Sequence, residues 1–152
     1  MPARRSDPAR LLAAVNAQLA ALGRAEWSGP VTADALEDAW VGAVLAAIDL
    51  NQEPERDATR WAVVHLVGLL ARQAPGRAVE VRIPPYAAVQ CVEGPRHTRG
   101  TPPNVVETDP ITWMMLAAGR IAWASALADG RVRASGPRSD LSEYLPLASA
   151  AS

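Results

Sequence analysis

The sequence predicts an α+β domain: a two-layer fold with helices on one face of a mainly antiparallel sheet, preceded by an N-terminal helical arm. Three observations predict it. Apolar residues recur at helical spacing through the first 74 or so positions. At Val79 the period changes to two. The strands that follow alternate apolar with polar residues, so one sheet face is wet and helices must cover only the other.

The elements follow in order. Asp7-Pro8 starts a first helix, with an acceptor at the cap and proline at the first helical position. Leu11, Leu12, Val15, Leu19 and Leu22 repeat along it, and Gly23 ends it. Trp27-Ser28-Gly29-Pro30 is a linker. Thr32 caps a second helix, with Asp34 complementing the dipole and Leu36, Trp40, Val44, Leu45 and Ile48 on its apolar side. Asn51 to Pro54 breaks it. A third helix, from about Glu55 to Gln73, is apolar over much of its girth and is expected to be buried. Val79, Val81 and Ile83 form a strand, Ala88 to Val92 a second and Asn104 to Thr108 a third, with a polar loop at 95–103. Asp109-Pro110 repeats the helix start, and Gly119 is a left-handed stop. A short helix holds Trp123, Ala126 and Leu127. Val132 and Ala134 mark a last strand, and Ser139 is expected to cap a final short helix.

Composition narrows the function classes. The chain has 152 residues, 49% of them hydrophobic, and a formal net charge of −1. That length suits one domain with an accessory arm, and the apolar content suits a real core. The charge argues against a nucleic-acid partner and gives no pull toward an acidic membrane. All fifteen cations are arginine, which with abundant alanine and proline reads as GC-rich coding. Cys91 alone forms no internal disulfide and suits a reducing compartment, so a cytoplasmic location is expected. The N-terminal segment lacks an uninterrupted apolar run, so no signal peptide is read there. No stretch approaches the ~20 apolar residues of a membrane span, and no stable membrane insertion is expected.

One segment is more specific. A strand at Val105 leads into Asp109-Pro110-Ile111-Thr112-Trp113. Gly119-Arg120-Ile121 then separates two helices, and Asp129-Gly130-Arg131-Val132-Arg133-Ala134-Ser135-Gly136 is a strand between glycines. This order resembles the C-terminal half of the sterol carrier protein (type 2) family. The likeness covers roughly residues 75–147 and is nearest to its divergent bacterial branch, which the segment Cys91 to Gly100 also resembles. It is similar, too, to the C-terminal domain of mycothiol-dependent maleylpyruvate isomerases, whose metal-binding set this chain lacks. The resemblance implies a five-stranded sheet, helices on one side and an apolar tunnel between the layers. It implies binding of fatty acyl chains, phospholipids or other hydrophobic small molecules. The expected organisation is a helical arm over 1–74 packing on the main domain, a sterol-carrier-like domain over 75–147 and a tail over 148–152.

Trp113, Met114, Leu116, Ile121, Trp123, Leu127, Leu141 and Tyr144 are the candidate tunnel walls. Taken alone these residues equally suit a filled core; the resemblance is what favours a cavity. Arg96, His97 and Arg99 are candidates for an anionic head group, since arginine forks and backbone amides suit carboxylate and phosphate. Read alone, the same arginines balance Glu93 and Glu107. Cys91 with Glu93 and His97 suggests a thiol nucleophile or a metal, but a lone strand cysteine is usually a small buried hydrophobe. No catalytic residue, cofactor or metal is assigned. The expected function is therefore an intracellular carrier of a hydrophobic ligand and not an enzyme. An interaction module, dimerising with itself or docking a partner, is the alternative, and an enzyme accessory domain a further one.

Overall fold

The computed structural model describes residues 7–95 and 104–147. The chain divides into two compact units, parted between Ala62 and Val63 inside the third helix.

The first unit holds α1 (Pro8–Ala21), α2 (Ala33–Asp49) and the start of α3 (Arg56–Gln73). Both early helix starts are capped as their sequences require. Asp7 Oδ1 accepts from the Ala9 amide at 3.1 Å and Thr32 Oγ1 from the Ala35 amide at 3.3 Å. Gly23 follows α1 at φ +69°, the left-handed stop that costs glycine nothing. Leu11, Val15, Leu36 and Trp40 form the core. Trp40 donates from Nε1 to the Leu11 carbonyl at 3.0 Å and stacks on Trp61 with ring centres 6.0 Å apart. Trp27 packs against the same cluster, so both tryptophans anchor the first unit itself.

The second unit contains β1 (Val79–Ile83), β2 (Ala87–Cys91), β3 (Val105–Thr108), α4 (Pro110–Ala117), α5 (Trp123–Ala128) and β4 (Val132–Ser135). The strand order is β2-β1-β3-β4. Two details correct the sequence expectation. Four strands, not five, occur among the described residues, and the central β1–β3 pair is parallel while the two outer pairings are antiparallel. The reason lies in the connection after β2. Cys91 lies opposite Val79, and Val105 lies opposite Glu80, so residues 92–104 leave and re-enter the sheet at the same end of β1. A chain that returns to the same end must run parallel to β1.

The alternation read from sequence holds across the sheet. Val79, Val81, Ile83, Cys91, Val106, Thr108 and Val132 are buried. Glu80, Arg82, Glu107 and Arg133 share the opposite face. There Arg82 pairs with Glu80 at 3.2 Å and Arg133 with Glu107 at 3.6 Å. Arg82 lies opposite Glu107, and Glu107 opposite Arg133, so the charges alternate across three strands. Such exposed pairs favour this alignment over a shifted one and add little to stability.

Asp109 caps α4 twice, Oδ1 accepting from the Thr112 amide at 2.9 Å and Oδ2 from the Thr112 hydroxyl at 2.6 Å. Gly119 ends that helix at φ +74°. The final helix is a single 3-10 turn, Ser142–Tyr144. Ser139 does not cap it: its hydroxyl donates to the Gly136 carbonyl at 2.8 Å, closing a turn upstream. No helix among the described residues is long and apolar enough to cross a membrane.

Candidate functional site

The dry side of the second unit is built around α4. Trp113 and Leu116 are 2% exposed and Met114 is fully buried, as is Leu141. Trp123 is also buried, and Ile121 and Tyr144 are half-buried. Leu127 is placed differently. It is 39% exposed, because the short α5 turns Trp123 and Ala126 inward and Leu127 falls off that face. Met115, beside the buried set, meets a charged group instead: Arg131 Nη2 approaches its sulfur at 3.4 Å. Leu147 is a fully buried residue that sequence reasoning passed over. Its amide donates to the Ala117 carbonyl at 2.9 Å, tying the segment after Pro146 to the close of α4. The apolar residue after Pro146 was the available signal.

One polar atom in this layer is unmatched. Trp113 Nε1 is buried with no hydrogen-bond partner among the described residues. An unpaired buried N–H costs on the order of 1–3 kcal/mol, so such groups are rare in settled cores.

Tyr144 lines a separate cleft of about 350 Å³ with Val92, Arg138 and Asp140. Burial, with Glu143 adding to it, pushes its hydroxyl above the usual phenol range. A hydrogen bond from Ser142 holds Asp140 below the usual carboxylate range. Another cleft of about 350 Å³ lies at Thr108, Asp109, Arg131 and Arg133.

Cys91 is fully buried at the end of β2, opposite Val79. Burial pushes its thiol up to about 11. At neutral pH it is a protonated thiol and a poor nucleophile. Because the folded thiol resists ionising, its contribution to stability is intact below the unfolded value near 9 and is lost as pH rises toward 11. Between those values the loss is at most about 1.4 kcal/mol per pH unit. Cys91→Ala is expected to cost ~1 kcal/mol at pH 7 and to flatten this alkaline decline. Urea unfolding at pH 7 and pH 10 measures both, and an unchanged alkaline slope would count against the assignment.

The loop bearing Arg96, His97 and Arg99 lies outside the described residues. Its flanks are placed: Pro95 follows β2 and Asn104 precedes β3, both at the Val79 end of β1. Of its proposed acidic partners, Glu107 is bound to Arg133 on the wet sheet face. Asn104 is a structural residue that the sequence reading passed over. It is 3% exposed, donates to the Ala78 carbonyl at 2.8 Å and accepts from the Arg138 amide at 2.9 Å. No group of three or more His, Cys, Asp or Glu side chains that could hold a metal occurs among the described residues.

Comparison with known proteins bears on this geometry. No curated protein matches the chain. A family model described as "bacterial SCP ortholog" matches residues 55–147. The match begins earlier than the 75–147 resemblance and takes in α3, which buries Ala62, Val63, Leu66, Val67 and Leu70 but leaves Val64 40% exposed, so it is not buried all round as its sequence suggested. With well over half of its length matched, the chain belongs to this bacterial, sterol-carrier-like family.

Proposed function

We propose that the second unit carries a hydrophobic small molecule, such as a fatty acyl chain or phospholipid tail, against the dry face of its sheet beside α4, without catalysing a reaction. Family membership supports the ligand class. The observation that carries the reading is the buried Trp113 Nε1, without a hydrogen-bond partner among the described residues, on the same helix as the buried Met114 and Leu116. A ligand with a carbonyl or hydroxyl oxygen would supply the missing acceptor while its tail gains about 0.8 kcal/mol per buried methylene. Arg96, His97 and Arg99 are proposed to receive an acidic head group. A lone buried thiol accords with a cytoplasmic setting.

Titration with a fluorescent fatty acid and its methyl ester tests this. Saturable binding of both at micromolar protein is expected. Arg96→Ala with Arg99→Ala should weaken the acid about tenfold and leave the ester nearly unchanged, since charge-assisted hydrogen bonds contribute roughly 1.5–3 kcal/mol. Absence of saturable binding for either compound would overturn the carrier reading.

A further inference from the structure

A cleft lies in the first unit, lined by none of the residues just discussed. It has a volume of about 640 Å³, within the roughly 300–1,000 Å³ typical of small-molecule sites. One wall is a face of α1. Arg10, Ala14 and Ala17 lie on it at helical spacing, the alanines giving a smooth apolar floor. The other wall is the first two turns of α3, with Arg56, Arg60 and Trp61. The amides that open a helix lack partners within it and favour negative charge.

The side chains are arranged for an anion. Arg10, Arg56 and Arg60 make no ion pair among the described residues, although Glu55 and Asp57 line the same cleft. The Arg60 guanidinium rests over the Trp61 ring at 5.3 Å from its centre, which holds the fork in place on an aromatic surface. At the Glu55 side, Gln18 Oε1 accepts from the Glu55 amide at 2.7 Å, tying α1 to the start of α3. The same side chain is fully buried, and its Nε2 has no partner among the described residues. Three guanidinium groups without an ion pair among the described residues, around an alanine-and-tryptophan surface, fit a ligand with an anionic group on a flat apolar body.

We propose that this cleft binds a small organic phosphate, its phosphate held by Arg10, Arg56 and Arg60 and its apolar body lying on the alanine face of α1. The site is independent of the lipid-carrier reading and stands or falls without it. Calorimetry on the full chain with 1-naphthyl phosphate, 1-naphthol and inorganic phosphate tests it. Saturable binding of naphthyl phosphate is expected, with both other compounds at least tenfold weaker because each offers only half of the match. Arg56→Gln with Arg60→Gln should weaken naphthyl phosphate by tenfold or more while the melting temperature stays within a few degrees. Ala14→Glu, placing a carboxylate on the floor, should do the same. No saturable binding of naphthyl phosphate at millimolar concentration overturns the proposal. So does equal affinity for naphthol, which would make the cleft a generic apolar surface, or an affinity untouched by the arginine substitutions.

Discussion

Gly76→Ala is expected to destabilise the second unit by about 3 kcal/mol or more, lowering the melting temperature by roughly 10 °C. Gly76 sits at φ +145°, a region that residues with a Cβ rarely enter. A Cβ there would overlap the Val92 carbonyl and crowd the Glu93 amide, both main-chain groups that cannot swing aside. Val92 is itself committed. It holds φ +66°, unusual for a β-branched residue, donates its amide to the Ala74 carbonyl at 2.7 Å and accepts from the Ala78 amide at 3.0 Å. Moving its carbonyl disturbs the junction between the end of α3 and both strands of the first hairpin. Gly42→Ala is the control. Gly42 lies within α2 with open space where a Cβ would go, so alanine there should stabilise by about 0.5–1 kcal/mol. Thermal unfolding of both variants gives the comparison. A Gly76→Ala protein as stable as the parent would contradict the described junction.

Asn104→Ala is expected to cost about 2–5 kcal/mol. The side chain closes two hydrogen bonds in a site 3% exposed, one to the Ala78 carbonyl and one from the Arg138 amide. Alanine leaves the buried Ala78 carbonyl and the part-buried Arg138 amide unmatched, at roughly 1–3 kcal/mol each, less for the amide that water can reach. The Asn104 carbonyl still accepts from the Glu80 amide at 3.0 Å, so the β1–β3 pairing can survive in weakened form. Amide hydrogen exchange should then show faster exchange at Arg138 with protection largely retained in β1. Unfolding free energy from urea titration gives the total, and a loss under about 1 kcal/mol would mean that water replaces the amide there.

What the sequence made legible was local. Asp7, Thr32 and Asp109 cap their helices because a cap needs only the next three residues. Val79, Val81 and Ile83 face inward because alternation is a property of one strand. The parallel pairing of β1 with β3 was not legible, because it depends on which end of the sheet residues 92–104 return to. Leu127 has the same apolar character as Leu116, yet its exposure is decided by where a six-residue helix turns. Ser139 had a cap's chemistry, but the Gly136 carbonyl was nearer. Trp113, Met114 and Leu116, read as tunnel walls, are buried on the mostly apolar α4, a placement that fits a filled core as well as a tunnel. The unmatched Trp113 N–H and the arginine cleft between α1 and α3 depend on distances between elements, which no spacing in the sequence encodes.

A hydrophobic ligand held beside α4 would survive into native mass spectrometry of the full chain purified from cells without organic solvent. A fraction of the protein is expected to carry an extra, non-covalent mass that solvent extraction releases as a hydrophobic, oxygen-bearing small molecule, and that a supplied fatty acid replaces. A protein that runs only at its own mass, and takes up no fatty acid on incubation, would contradict the carrier reading.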